Sequence, residues 1–173
     1  MEQLRPTVTI EKVVHGGWGL AHHEGQTLLV RGALAGETVG VAVLRAHKGV
    51  QEATVVEVLT GSPHRLVPPC PAYEFCGGCQ LQHASEAAQL TMKHEMVKET
   101  LQRMGRLTDV EVPQVIGSSV PFGYRNSLRG VVVSDKGTLT IGLHREGKAQ
   151  TVEATACLLP DEGLHAVVVA LQA

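Results

Sequence analysis

The sequence predicts a mainly β protein in which an N-terminal β-barrel is followed by a small α+β domain. Three observations carry this prediction: short runs rich in valine, threonine and glycine before residue 62, a proline-rich break at SPHRLVPPCP, and a helical repeat with further strand-like runs behind it. Short strands separated by glycine turns at regular spacing are typical of small antiparallel barrels. We therefore predict two domains, residues 1–62 and residues 63–173.

The predicted barrel consists of alternating apolar and polar runs that end at glycine-containing turns. These turns are HGGWG, AHHEG, GALAGE and AHKG. A domain of ~60 residues buries only about 60% of the surface that its unfolded chain exposes, so we expect the barrel to be marginally stable alone. The predicted strands are residues 7–14, 26–31, 37–45 and 52–59.

A long helix is predicted after the break, over residues 86–104, with Ser85 as N-cap and Gly105 just past its end. Its apolar residues recur at helical spacing, and we expect the resulting stripe to pack on a second sheet. The stripe consists of Leu90, Val97, Leu101 and Met104. The second sheet is predicted from residues 124–133, 138–144 and 148–154, and another helix from residue 163.

Four cysteines form the most specific pattern in the chain. Cys70, Cys76 and Cys79 are separated by five and two residues within CPAYEFCGGC, and Cys157 follows 77 residues later (157 − 79 − 1). Three neighbouring thiols and one remote thiol commonly hold an iron–sulfur cluster, because one loop wraps three corners and a distant element closes the fourth.

Two other interpretations of the cysteines stay open. A zinc site is one, because Cys76, Cys79 and His83 have the spacing of a knuckle, although this leaves Cys70 or Cys157 without a role. Disulfides or unliganded thiols are the other. The N-terminal run MEQLRPTVTIEKVV lacks an apolar leader, so we expect a reducing, cytoplasmic compartment, which disfavours disulfides.

Composition limits the classes of function. The 173 residues are 43% hydrophobic and 18% charged, with a formal net charge of −2, and no apolar run approaches the length of a membrane span. Nucleic-acid contacts would therefore come from a local patch, not from global charge. No GxGxxG loop, P-loop or GxSxG elbow is present, and we predict no catalytic residue in this chain.

Long stretches of the chain resemble a known family. The run EKVVHGGWGLAHHEGQTLLVRGALAGETVGVAV resembles a TRAM domain. The pieces CGGCQLQH, PFGYRN and GLHREGK, followed by Cys157, resemble in the same order the bacterial RNA (uracil-5-)-methyltransferases that act on 23S rRNA. The resemblance covers nearly the whole chain.

The resemblance implies a separate role for each domain. The TRAM barrel would be an OB-like RNA-binding module, and the central α+β domain would hold a [4Fe-4S] cluster through Cys70, Cys76, Cys79 and Cys157. In the family a C-terminal Rossmann-like domain binds S-adenosylmethionine and supplies the catalytic groups. The sequence ends before such a domain, so we expect this chain to be the RNA-binding and cluster portion of the enzyme, without catalysis of its own.

The residues expected to contact RNA are Trp18, Arg125 and Arg129. Trp18, on the HGGWGL turn, would stack on a base, although a tryptophan in the barrel core is an equal interpretation. Arg125 and Arg129 would share one face of the predicted strand and contact phosphate. The expected partner is 23S rRNA, bound by a monomer without membrane contact. Two alternatives stay open, a stand-alone RNA-binding iron–sulfur protein and a zinc-stapled interaction module.

Overall fold

The computed structural model describes residues 5–135 and 138–171, which form two compact units. One unit consists of the residues up to Val67 together with His83–Gly117. The other consists of Pro68–Gln82 together with the residues from Ser118 on. None of the helices in the described ranges combines the length and the apolarity needed to cross a membrane.

The first unit is built on a six-stranded sheet with the order β1-β5-β6-β4-β3-β2. Neighbouring strands run antiparallel except β4 and β6, which are parallel. The mainly β prediction is therefore confirmed. The strands are β1 (Thr7–Thr9), β2 (Lys12–Val14), β3 (Trp18–His23), β4 (Gln26–Arg31), β5 (Thr38–His47) and β6 (Val50–Thr60).

The antiparallel barrel predicted from the sequence differs from this sheet in its pairing. Within the described residues the hydrogen-bonded order ends at β1 and at β2, and no closed barrel is found. The predicted strand over residues 7–14 is split: β1 pairs with β5, whereas β2 pairs with β3. The split lies at Ile10 and Glu11, whose amides donate to Glu37 O (2.9 Å) and Leu20 O (2.8 Å) respectively.

The sequence predicts the glycine turns HGGWG and AHHEG where the structure has strand β3. The first turn is short because Gly16 and Gly17 take positive φ angles, so that Trp18 already begins the strand. Gly19 then lies so close to the core that a Cβ there would come within 3.0 Å of Ala33 and Ile10 side-chain atoms. The glycines thus tighten the turn and allow close packing instead of ending the sheet.

The core of the first unit is made of alternating small and branched apolar side chains. Along β4 the exposed fraction falls to 0% at Leu28 and Val30, as expected for a strand with one buried face. The buried cluster consists of Val8, Ile10, Ala21, Leu28, Val30, Ala33, Val39, Val41 and Ala53.

A buried ion pair between Glu37 and Arg65 connects the loops of this unit. The Glu37 carboxylate is 0% exposed and accepts hydrogen bonds from Leu34 N (2.8 Å), Ser62 N (3.0 Å) and Arg65 Nε (2.6 Å). Arg65 also donates to Gly32 O at 2.7 Å. Burial alone would raise the pKa of Glu37, but the hydrogen bonds and the guanidinium charge outweigh it, so that this pKa is lowered.

Helix α1 (Glu86–Arg103) belongs to the first unit. Ser85 is its N-cap, as predicted, with Oγ accepting from Ala88 N at 3.4 Å. The helix contacts β2, and Lys12 Nζ lies 2.6 Å from Glu99 Oε1. The predicted apolar stripe is wrong, because Val97 and Met104 are 48% and 82% exposed while His94 is the buried residue of the helix.

The second unit contains a three-stranded antiparallel sheet, β7 (Val131–Asp135), β8 (Thr138–His144) and β9 (Thr151–Glu153). A 3₁₀ turn, Ala154–Ala156, follows β9, and helix α2 (Glu162–Ala170) begins after its N-cap Asp161. The strand predicted from residue 124 begins only at Val131. The face shared by Arg125 and Arg129 in that prediction therefore does not exist.

Candidate metal centre

All four cysteines line one cavity of the second unit, with a volume of about 480 Å³. This volume lies within the roughly 300–1,000 Å³ that is usual for cofactor and ligand sites. Cys76 is buried, and Cys70, Cys79 and Cys157 are partly buried. The structure thus brings the remote thiol to the same cavity as the three neighbouring ones.

The loop that carries three of the thiols is held by its own turns and by the end of β8. Within the loop, Cys76 N donates to Ala72 O at 2.8 Å. Toward the sheet, Gly77 N donates to His144 O (3.1 Å), and Glu146 N donates to Phe75 O (3.0 Å). These bonds fix the cysteine loop against the turn that follows β8, so its thiols face the cavity from a defined backbone.

The 3₁₀ turn after β9 positions the fourth thiol. Cys157 N donates to Ala154 O at 3.0 Å, which closes the turn. The Cys70 thiol lies 3.9 Å from Ala156 O, the carbonyl directly before Cys157. The cysteine loop and the 3₁₀ turn that leads to Cys157 therefore lie beside each other.

The thiols influence one another electrostatically. Burial raises the pKa of Cys79, a hydrogen bond with Gln82 opposes this, and the other three thiols raise it further. Burial also raises the pKa of Cys157, against a hydrogen bond from the Leu159 amide. Four thiolates crowded in this way repel one another, and a positively charged metal group among them would relieve that repulsion.

The chemistry of the side chains that line this cavity limits which metal group it could hold. Across residues 5–135 and 138–171, no three His, Cys, Asp or Glu side chains are grouped so that they could hold a metal ion. The four cysteines are nonetheless lining residues of one cavity, and soft thiolate ligands select zinc, copper(I) and iron–sulfur clusters. Four is also the number of thiolates that an iron–sulfur core takes, one at each corner.

The residues predicted to bind RNA lie at two different places. Trp18 is partly buried at the start of β3, with its indole 3.1 Å from the position that a Cβ on Gly16 would take. Arg125 and Arg129 are exposed, but both contribute to the wall of the cysteine cavity. His83, considered above as a zinc ligand, is buried in the first unit, with its Nε2 3.5 Å from Ala33 O.

The sequence pattern did not indicate one contact that holds the cysteine loop. Arg145 lies over the Phe75 ring, 4.6 Å from its centroid, and pairs through its backbone with Cys76. This cation–π contact ties the cysteine loop to the turn after β8. The only signal for it was the presence of Arg145 in the piece GLHREGK.

Residues 5–56 match the model of the TRAM domain. The matched segment is similar to that domain and makes up less than half of the chain. It contains Trp18 and the first five strands together with part of β6. The remainder of the chain, including all four cysteines, lies outside the match.

The whole chain is also similar to curated RNA methyltransferases. An uncharacterized RNA methyltransferase of Halalkalibacterium halodurans is 37% identical over 90% of this chain and 34% of its own length. Proteins of the same description from Clostridium tetani and Aquifex aeolicus are 36% and 34% identical over 84% and 93% of this chain, and over 32% and 37% of their own lengths. The chain thus spans about a third of the length of these relatives.

A solved structure shares the fold. It is the crystal structure of Pyrococcus abyssi tRNA (uracil-54, C5)-methyltransferase in complex with S-adenosyl-L-homocysteine, with a TM-score of 0.57 and 21% identity. The match covers 95% of this chain and 35% of that one. At this identity the likeness concerns the fold alone.

Proposed function

We propose that this chain is the RNA-binding and iron–sulfur portion of an S-adenosylmethionine-dependent RNA uridine C5-methyltransferase. The observation that carries the proposal is the combination of a TRAM domain with four thiols on one cavity in a chain that is homologous to RNA methyltransferases. The proposed roles follow the predicted domains, with RNA held by residues 1–62 and the cluster by residues 63–173.

The cluster proposal assigns Cys70, Cys76, Cys79 and Cys157 as ligands of a [4Fe-4S] group. When bound, such a group supplies a covalent cross-link between distant segments, and its binding free energy becomes folding free energy. Here the linked segments are the loop before Gln82 and the turn after β9. The protein's own contribution is to aim the four thiols and to surround them with the apolar side chains of Leu143, Val152 and Leu159.

The RNA proposal concerns unpaired nucleotides. Methylation at C5 of a uridine requires the base to leave its stack, and an enzyme selects such a base largely by holding the RNA around it. Trp18 supplies a stacking surface, and Arg129 a planar cation for phosphate. We propose 23S rRNA as the substrate and the cytoplasm as the place of action.

Anaerobic purification of the full chain tests the cluster. We expect a brown protein with about four iron and four sulfide ions per chain, in line with the one cluster that four thiolates hold. A colourless protein with one zinc ion per chain would instead establish the zinc-stapled alternative. Replacing Cys79 with Ser should lower the iron content, whereas replacing the exposed Ser119 with Ala serves as a matched control and should not.

Titration with 23S rRNA fragments and with transfer RNA tests the RNA proposal. We expect preferential binding of a 23S rRNA fragment, with affinity that falls as salt rises. Trp18→Ala should weaken binding by about 1–3 kcal/mol, the range of one base–aromatic stack, and Trp18→Phe should retain most of it. Preference for transfer RNA would overturn the assigned substrate, and absence of RNA binding would overturn the function.

A further inference from the structure

Arg125 occupies a place that the RNA proposal does not explain. Its backbone is bonded on both sides to the segment that follows the fourth thiol: Arg125 N donates to Leu159 O at 2.9 Å, and Asp161 N donates to Arg125 O at 2.8 Å. This bridge, centred on Pro160, holds residue 125 beside the stretch that begins at Cys157. The side chain of Arg125 contributes to the wall of the cysteine cavity.

The positive charge of Arg125 belongs to the wall of the cavity that the four cysteines line. Within residues 5–135 and 138–171, no carboxylate forms a salt bridge with Arg125. The cavity wall also carries Arg129 and Arg145 as cations and Glu146 and Glu153 as anions, so positive charge exceeds negative charge around the cysteines.

We propose that Arg125 is a positioning residue of the iron–sulfur group, which compensates its negative charge, and not a phosphate contact. The inference rests on the proposed function, because the group is part of it. Four thiolates around a [4Fe-4S] core of charge 2+ leave a net charge of about −2. A cation whose backbone is bonded to the segment that follows Cys157 would stabilise that charge, as outer partners of metal ligands generally do.

Arg129 lines the same cavity and can be compared with Arg125. It lies four residues further along the chain, and the backbone bonds that join Arg125 to Leu159 and Asp161 do not involve it. Within the described residues, the backbone of Arg129 is therefore not bonded to the segment that follows Cys157. Arg129 remains the candidate for phosphate, and the two arginines should separate experimentally.

The test uses the full chain, purified anaerobically, as wild type and as Arg125→Gln, Arg125→Lys and Arg129→Gln. We expect Arg125→Gln to accelerate iron loss to a ferrous chelator by roughly tenfold, the lower end for removal of an outer partner. It should also lower the midpoint potential of the cluster, because a lost positive charge disfavours the reduced, more negative state. Arg125→Lys should restore most of both properties.

RNA binding separates the two arginines. Arg125→Gln should leave the affinity for RNA and its salt dependence unchanged, whereas Arg129→Gln should reduce the slope against salt by about 1, as expected for one phosphate contact. Arg129→Gln should lower the midpoint potential less than Arg125→Gln does.

Distinct outcomes overturn the inference. If the wild type holds iron but Arg125→Gln alters neither iron loss nor potential, the inference is wrong and the proposed function stands. A reduced salt slope in Arg125→Gln would assign the residue to phosphate instead. Unfolding of both Arg125 variants, seen by circular dichroism, would assign it a purely structural role. A wild type without iron would remove the cluster and the inference together.

Discussion

The two units of this protein are stabilised in different ways. The first unit has a six-stranded sheet, nine clustered core residues and a buried carboxylate with its own guanidinium. The second has a three-stranded sheet, and its buried apolar residues in the described part of the chain are Cys76, Ala154, Leu159 and Val168. Where the first unit has a packed core, the second has a cavity lined by four thiols.

This difference shows what each unit needs in order to fold. Apolar burial grows with the number of packed side chains, so the first unit has its own source of stability. Small units with few core residues usually need a staple such as a metal or a disulfide. The thiol cavity is the place in the second unit where such a staple would act, and selective damage to each unit tests this comparison.

The largest effect is expected from Cys157→Ala. Structural metal sites contribute about 10 kcal/mol or more to folding, so loss of one ligand should abolish the cooperative folding of the second unit. Hydrogen exchange should then show lost protection in β7 to β9, with protection in β3 to β6 retained. Chelation of the wild type should reproduce this pattern, and unchanged protection in the variant would contradict the comparison.

The next effect is expected from Glu37→Ala, which acts on the first unit. The substitution leaves Arg65 without its carboxylate and removes the acceptor of the Leu34 and Ser62 amides. Breaking a buried pair costs about 3–5 kcal/mol, and partial exposure of Arg65 favours a value of about 3 kcal/mol. Urea unfolding measures this loss. Glu57→Ala, on the exposed side of β6, is the control and should stay within about 0.5 kcal/mol of wild type.

A smaller, gradual decrease in the free energy of unfolding is expected as the pH falls. The pKa of His83 is lowered by burial and by the Arg65 charge, so its contribution is complete above the unfolded value of about 6.5 and declines as pH falls below it. The pKa of Glu37 is also lowered in the folded state, so its contribution declines below the unfolded value of about 4.3.

Urea unfolding of the first unit at several pH values measures both declines. His83→Gln should reduce the loss of stability that begins below about pH 6.5, and Glu37→Gln should reduce the loss that begins below about pH 4.3. A free energy of unfolding that stays constant from pH 7 to below 4 would show that neither group is coupled to folding.

The smallest effects come from the two helix caps, one in each unit. Ser85 Oγ accepts from Ala88 N at 3.4 Å, and Asp161 Oδ1 accepts from Leu164 N at 2.8 Å. Replacing either with Ala should cost about 1 kcal/mol. If the units are stabilised separately, Ser85→Ala should affect hydrogen exchange in α1 alone and Asp161→Ala in α2 alone. Matching losses in both helices would argue against separate stabilisation.

Elements with local causes were predictable. Helix α1 was placed within one residue, because Ser85 caps it and its composition favours a helix. Strand β4 has the predicted bounds, because its apolar and polar residues alternate between two tight turns. Strand β3 was missed, because the glycines that suggested a long turn serve close packing instead.

The site was predictable in its residues but not in its surroundings. The spacing of the cysteines named four candidates. It did not indicate that Arg125 lies on the same wall, because the strand expected from residue 124 would have placed the arginines by simple alternation. The observed position comes from the bridge to Pro160, a pairing of residues 35 positions apart (160 − 125).

The sequence by itself, through residues a few positions apart, determined the capped helix, the alternating strands and the identity of the sulfur donors. Long-range pairing specified the parallel contact of β4 with β6, the division of residues 7–14 between two partners, and the approach of Cys70 to the turn that leads to Cys157. The reason is physical: caps and alternation act between residues a few positions apart, whereas strand partners and cavity walls are selected by which distant surfaces bury each other best.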